Sequence, residues 1–165
     1  LSERIQEAQN WYNYFSSNAG DMNSSSKEVF DKYKDKMKPL PTIKEMKDGW
    51  PGNSYALGNC TWYVYNRMHQ LGKGINPVMG NANQWVYNYI KTPGASLVSI
   101  PKRGDIILLT KGAGNSIPIY GHVAVIEFVN GDGSFVISEM NVQGVYTMGW
   151  RVLQKQPDEY FMRVK

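Results

Sequence analysis

Apolar residues in the first third of the chain recur three or four positions apart, which is the spacing of one helix face. They form two runs, Ile5, Ala8, Trp11, Tyr12 and Phe15, and then Val29, Phe30, Tyr33 and Met37. We therefore predict two short helices, the second ending before Pro39. The segment between them, residues 18–26, is rich in Gly, Asn and Ser and is typical of a flexible joint.

The pattern changes after Pro51. Two more helices are predicted, one near residues 59–71 that ends at Gly72, and one from residue 81 to about residue 90 that ends before Pro93. Runs rich in Val, Ile, Phe, Tyr and Met follow, separated by Gly, Asn, Asp or Pro, and these are typical of strands. The predicted strands are residues 105–110, 122–130, 134–141, 145–153 and 159–164.

Helices followed by a series of strands indicate an α+β fold with an antiparallel sheet, because a parallel sheet needs helices and strands to alternate. We predict that residues 1–50 form a helical extension or linker and that residues 51–165 form the main domain. The length of 165 residues suits one core, and the 42% hydrophobic content is enough to build it, which excludes a wholly disordered chain.

No apolar run reaches the roughly 18 residues of a membrane span, so we expect no membrane insertion. The chain begins at Leu1 without a signal-peptide pattern, and we interpret it as a mature or excised part of a longer product. Eighteen basic and fourteen acidic residues give a net charge of +4, and the excess lies after residue 50. This charge favours an anionic surface as partner, while nothing indicates nucleic acid.

The chain has one cysteine, which excludes an intrachain disulfide and a multi-cysteine zinc site. Cys60 is either a buried apolar residue or a reactive thiol. It shares the predicted core face of its helix with Val64 and Met68. It also lies at the first turn, where unpaired N–H groups and the helix dipole favour a thiolate.

A thiolate nucleophile needs a base, and the chain has two histidines. His69 lies on the same helix as Cys60 but about 180° around it, so we predict a solvated residue there. His122 opens a strand. A hairpin follows this strand. If its turn has two or four residues, paired residue numbers sum to 263, which sets Asn141 opposite His122 and puts Glu139 on the same face as the diagonal neighbour of His122. A turn of three residues would shift this register by one and weaken the pairing.

This arrangement provides a base together with groups that orient it. Other interpretations stay open at this point, since Glu139 also suits a solvated strand and Asn141 also suits a turn. Among the aromatic residues, Trp62, Trp85 and Tyr120 are candidates to line a binding groove, although Trp85 also fits a core position on its helix.

Five motifs in order resemble the cysteine, histidine-dependent amidohydrolase/peptidase family, known as CHAP domains, and most closely those of staphylococcal secreted wall proteins and bacteriophage lysins. The motifs are YALGNCTWYVY at residues 55–65, GNANQW at 80–85, PKRGDI at 101–106, YGHVA at 120–124 and SEMN at 138–141. The likeness runs from about residue 51 to the end of the chain.

The resemblance implies a papain-like fold in which Cys60 is the nucleophile, His122 the base and Glu139 the residue that orients it, with Asn141 in the same polar network. It implies hydrolysis of an amide bond in peptidoglycan, either the bond from muramic acid to L-alanine or a peptide bond of the stem or cross-bridge. The location would be the cell wall, reached by secretion or by a phage. The alternative is an inactive wall-binding or virion module.

Two departures from the family pattern matter. Asn59 stands where many relatives have Gln, and this shorter amide puts an oxyanion role for its side chain in question. Residues 52–57 carry no carboxylate where some phage relatives have a calcium loop. We therefore expect no metal and no cofactor, and a partner limited to peptidoglycan, with the chain as part of a larger wall-targeted protein or phage particle.

Overall fold

The structure is a computed structural model that describes residues 24–37, 49–116, 119–142 and 148–165. The first predicted helix, around Trp11, lies outside these residues. The second is present as α1, Ser24–Tyr33, and continues as a 3-10 turn to Lys36.

Helix α2, Cys60–Gln70, matches the prediction for residues 59–71. The helix predicted for residues 81–90 is instead divided into three single turns. These are a 3-10 turn at Ala82–Gln84, the short helix α3 at Trp85–Asn88 and a second 3-10 turn at Tyr89–Lys91. In both 3-10 turns the chain closes hydrogen bonds three residues apart, from Gln84 N–H to the Asn81 carbonyl and from Thr92 N–H to the Tyr89 carbonyl.

A six-stranded antiparallel sheet follows, which confirms the α+β prediction. Its strands are β1 Ser96–Val98, β2 Ile106–Leu109, β3 His122–Val129, β4 Phe135–Met140, β5 Met148–Leu153 and β6 Glu159–Arg163. Their order across the sheet is β1-β6-β2-β3-β4-β5. The sequence analysis missed β1, because three largely exposed residues at a sheet edge carry no alternation of buried and exposed positions.

The β3–β4 hairpin corrects the predicted turn. Asn130 and Ser134 close a three-residue loop, with Gly133 at φ 90° in the left-handed conformation that such loops use. Paired residue numbers near the loop therefore sum to 264. A β-bulge between Ile126 and Phe128 then absorbs one residue, and Val125 pairs with Ser138 in the predicted register that sums to 263.

The core lies on both faces of the sheet. One face carries residues such as Val123 and Met140, which pack with Val64 and Met68 of α2. Helix α1 contributes to this layer, because the rings of Phe30 and Trp150 on β5 lie 4.5 Å apart. The opposite face forms a second cluster of Ile107, Leu109, Ala124, Ile126, Phe135, Ile137 and Phe161. The division of the chain at residue 50 stays a prediction.

A buried ion pair fastens α2 to β3. Arg67 donates from Nε and Nη2 to Glu127, the residue within the bulge, at 3.0 and 2.8 Å. Glu127 also accepts a hydrogen bond from Ser138, whose hydroxyl accepts one from Tyr63 of α2. Removing either charge would leave the other buried without its partner, so this pair fixes the helix against the hairpin.

Among the described helices, none is both long and apolar enough to cross a membrane.

Candidate active site

Cys60 is the first residue of α2 and is half-buried. The chain enters the helix through a tight turn in which Asn59 N–H bonds to the Ala56 carbonyl, and Gly58 in this turn has φ 80°. Asn59 is extended and makes no side-chain cap. The thiol therefore lies at the positive end of the helix dipole, where a thiolate is favoured.

His122 is placed by the loop that precedes β3. Asn83 donates from its backbone N–H to the Tyr120 carbonyl at 2.8 Å, which holds this loop against the turn at Ala82–Gln84. Gly121 makes the close approach possible, because a Cβ at its position would lie 2.8 Å from Asn83 N, and its φ is 69°. The glycine before the histidine is therefore a steric requirement.

Cys60, His122 and Glu139 form a continuous chain of hydrogen bonds. The imidazole Nε2 lies 2.8 Å from Glu139 Oε1 and donates to it, since an ionised carboxylate only accepts. A side-chain hydrogen bond joins His122 to Cys60, and Nδ1 is the ring nitrogen left for it. Glu139 is 1% exposed and His122 5%, so the contact between these two side chains is shielded from bulk water.

These contacts shift the pKa of each group. Burial raises the pKa of the Cys60 thiol, but the hydrogen bond and charge of His122 outweigh it, helped by backbone contacts, and the pKa is lowered. Burial lowers the pKa of His122, yet its bonds to Cys60 and Glu139 raise it to about 9. The contacts therefore favour the thiolate form of Cys60 more than in an isolated cysteine, and His122 is imidazolium at neutral pH.

The shifts predict how fast Cys60 reacts with iodoacetamide as the pH changes. The pKa of Cys60 lies below the ordinary thiol value of 9.0, so we expect alkylation at pH 7 to be faster than that of a free thiol. In the His122→Ala variant the main lowering contact is gone, and the alkylation profile moves to higher pH. Rates measured by mass spectrometry of the protein between pH 5 and 10 check this. Identical profiles for the two proteins would contradict it.

Asn141 directly follows β4 and has the left-handed conformation, with φ 68°. Asn tolerates this conformation better than most residues do. Its amide Nδ2 donates to Asn59 Oδ1 at 3.0 Å. Asn141 thus bonds to the residue before the thiol, while Glu139 is the group bonded to the imidazole. The amide of Asn59 is held in one orientation by this contact.

Sequence reasoning missed Arg151. This residue of β5 donates from Nε to Glu139 Oε2 and, at 2.8 Å, from Nη2 to Oε1. Gly149 is the direct partner of Glu139 in the sheet, so Arg151 is a diagonal neighbour. The β4–β5 register was not predictable, because the predicted strands leave only residues 142–144 between them, whereas β4 ends at Met140 and β5 begins at Met148.

The thiol and imidazole line a cleft of about 410 Å³. Tyr120 stands at its edge with 57% of its surface exposed, in keeping with its predicted place in a groove. Trp62 and Trp85 are 3% and 0% exposed, and Trp85 bonds through its indole N–H to the Gly80 carbonyl. The groove prediction is wrong for these two residues, because buried rings have no free face for a ligand.

His69 is half-buried, which corrects the prediction of a solvated residue. Its ring stacks on Tyr65 with centroids 4.1 Å apart, and Nδ1 lies 3.0 Å from the Tyr65 carbonyl. Trp50 covers it further, at 5.8 Å between ring centroids. These contacts place His69 in an aromatic cluster.

In the part of the chain that the structure describes, no three His, Cys, Asp or Glu side chains are grouped so as to hold a metal ion.

The known proteins that are similar to this chain include two staphylococcal proteins named for N-acetylmuramoyl-L-alanine amidase. The chain is 39% identical over 124 residues to an N-acetylmuramoyl-L-alanine amidase domain-containing protein of Staphylococcus aureus, which covers 75% of this chain and 19% of that protein. It is 43% identical over 89 residues to the N-acetylmuramoyl-L-alanine amidase sle1 of Staphylococcus epidermidis, covering 54% of this chain and 25% of the relative. The chain thus spans a quarter or less of these two relatives.

A crystal structure of an N-acetylmuramoyl-L-alanine amidase from Staphylococcus aureus has a similar fold. The TM-score is 0.59 at 29% sequence identity, over 78% of this chain and 41% of that one. The family model described as CHAP domain matches residues 50–141, more than half of the chain. This segment includes Cys60, His122, Glu139 and Asn141. The chain belongs to the CHAP domain family.

Proposed function

We propose that this chain hydrolyses an amide bond of peptidoglycan with Cys60 as the nucleophile. The observation that carries the proposal is the hydrogen-bonded chain of Cys60, His122 and Glu139, opening into a cleft at the start of a helix. A thiolate with a base and an orienting carboxylate is the arrangement that acyl transfer requires. The relatives named as N-acetylmuramoyl-L-alanine amidases support the amide bond as the target.

The geometry supports a two-stage reaction. The Cys60 thiolate attacks the amide carbonyl, and the backbone N–H of Cys60 at the helix start stabilises the oxyanion. The imidazolium of His122 then gives its proton to the leaving amine, and a thioester remains on the sulfur. Neutral His122 next takes a proton from water, which attacks the thioester and releases the carboxylic acid. Glu139 stabilises the imidazolium throughout.

The cleft and the charge of the chain suit a wall polymer. Apart from the catalytic pair, the cleft is lined by amides, hydroxyls and small residues, including Asn81 and Ser116, and by two larger side chains, Tyr120 and Val142. Such a surface fits an uncharged peptide segment with small side chains. The net charge of +4 favours approach to anionic wall polymers. We accordingly place the site of action at the cell wall, with Tyr120 as a substrate contact.

The experiment is digestion of purified staphylococcal peptidoglycan, with separate assays for new amino groups and new reducing sugar ends. Amide hydrolysis releases amino groups and no reducing ends. A wall-binding module without activity would sediment with the walls and release neither. Reducing ends without amino groups would indicate a glycosidase and overturn the proposal.

Substitutions of Glu139 and of Asn141 are expected to lower kcat by different amounts. Glu139→Gln keeps the shape but removes the charge that stabilises the imidazolium, so we expect kcat to fall by about 10² to 10⁴, as when a triad loses its acid. Asn141→Ala removes the contact to Asn59 and puts Ala at a left-handed φ of 68°, but it leaves the bond between His122 and Glu139 in place, so we expect a smaller loss of kcat. Release of amino groups from the same wall preparation measures both. If Asn141→Ala is the more damaging variant, Glu139 is not the main orienting residue.

A further inference from the structure

We propose that Arg151 is a positioning residue that holds Glu139 ionised and ties it to the wall of the cleft. The inference builds on the catalytic roles proposed above, but its first test uses the reactivity of the thiol and needs no hydrolysis. Arg151 lies beyond residues 50–141, so it is outside the segment that the family model matches.

The guanidinium makes three contacts that no other cation could reproduce together. Two nitrogens bind both oxygens of Glu139, and the third, Nη1, donates to the Gly114 carbonyl at 2.7 Å. The planar fork of Arg matches a carboxylate in this bidentate way, whereas Lys offers a single point charge. Glu139 Oε1 thus accepts from both His122 and Arg151, while Oε2 accepts from Arg151.

The charge of Arg151 matters because Glu139 is buried. Burial raises the pKa of a carboxyl group, while the bonds from His122 and Arg151 lower the pKa of Glu139 below its ordinary value. Only the ionised form accepts both donors at once. Without Arg151, Glu139 Oε2 would lose its donor, and the pKa of Glu139 would rise. A protonated Glu139 would no longer stabilise the imidazolium of His122, which is the main contact that lowers the pKa of the Cys60 thiol.

The contact to Gly114 connects this charge network to substrate binding. Gly114 and Ser116 line the cleft, on the loop between β2 and β3. Gly114 has φ 60°, and a Cβ there would lie 2.8 Å from Leu109 Cδ1, so the loop backbone lies directly on the core. Arg151 thus fixes one wall of the cleft and the orienting carboxylate with one side chain.

The chain contains a matched control in Arg163. This residue of β6 binds both oxygens of Asp105, at 2.9 and 2.8 Å, and also donates to the Ile100 carbonyl. Arg151 and Arg163 are 25% and 30% exposed, and each carboxylate is 1% exposed. Loss of either guanidinium thus removes a two-point contact to a buried carboxylate and one hydrogen bond to a backbone carbonyl. Only Arg151 is bonded to the carboxylate that accepts from His122.

The test compares Arg151→Gln with Arg163→Gln, each checked for folding by circular dichroism and thermal unfolding. In Arg151→Gln we expect the alkylation profile of Cys60 to move to higher pH, with a rate at pH 7 about tenfold lower, the effect of one pKa unit. Arg163→Gln should keep the wild-type profile. Equal profiles for Arg151→Gln and Arg163→Gln would overturn the proposal.

Arg151→Lys keeps the charge and loses the fork, and it provides a second variant if Arg151→Gln does not fold. We expect its alkylation profile to lie closer to the wild type, while KM for solubilised wall fragments rises because the Gly114 contact is lost. A Lys variant identical to wild type in kcat, KM and alkylation would overturn the positioning role. Absence of wall hydrolysis in the wild type would count against the proposed function. The alkylation profiles would still test the positioning role of Arg151, because they do not depend on hydrolysis.

Discussion

Replacing Cys60 with Ala is expected to abolish release of amino groups from peptidoglycan and to leave the fold intact. The nucleophile has no substitute, and its removal from an enzyme triad typically lowers kcat by about 10⁶. The structural cost is small, because Cys60 is half-buried at a helix start and the change removes only the sulfur atom. Cys60→Ser should be equally inactive, since the hydroxyl has a much higher pKa than the thiol.

Two measurements accompany this prediction. Circular dichroism should show the same spectrum for the wild type and both variants. Iodoacetamide should inactivate the wild type in step with the incorporation of one label, because the chain has a single cysteine. A folded Cys60→Ala variant that still digests walls would exclude the cysteine mechanism.

Replacing His122 with Ala should cause a loss close to that at Cys60. The imidazole is bonded to both the thiol and Glu139, so its removal takes away the base, the proton donor for the leaving amine and the main cause of the lowered thiol pKa. His69→Ala is the matched control. Its ring stacks on Tyr65 at a half-buried position, so the variant should unfold more easily, by about 1 kcal/mol, with activity per folded molecule unchanged.

Initial rates of amino-group release, normalised to folded protein, compare the two histidine variants. Thermal unfolding gives the stability of each. A loss of catalysis in His69→Ala as large as that in His122→Ala would mean that the aromatic cluster around Tyr65, rather than the bonds of His122, limits the reaction.

The pairing of His122 with Glu139 was predictable from the sequence, although the turn prediction behind it was wrong. The hairpin loop has three residues, which shifts the register by one, and the bulge at Glu127 shifts it back. Sequence periodicity contains no sign of this bulge, and Glu127 within it is bonded to Arg67, 60 positions earlier in the chain. The register at Val125 and Ser138 agreed with the prediction because these two local changes cancelled.

The positions of α2 and of the four longest strands followed from their apolar runs and the turn residues between them. Contacts between strands that are joined by long connections did not follow from these patterns. Arg151 reaches Glu139 only through the pairing of β4 with β5, and no sequence rule sets that register across residues 141–147. The tryptophans show the same limit, since helical spacing assigns Trp85 to a face but does not show whether that face meets the core or a groove.

Mass spectrometry of the muropeptides released from purified walls by the wild type and by Cys60→Ala tests the central claim most directly. The account predicts wild-type products that pair as a free carboxyl and a free amine across one amide bond, with masses that sum to the intact muropeptide plus one water. The Cys60→Ala digest should match the buffer control. Products with intact peptides and new sugar ends, or the same amide products from Cys60→Ala, would contradict it.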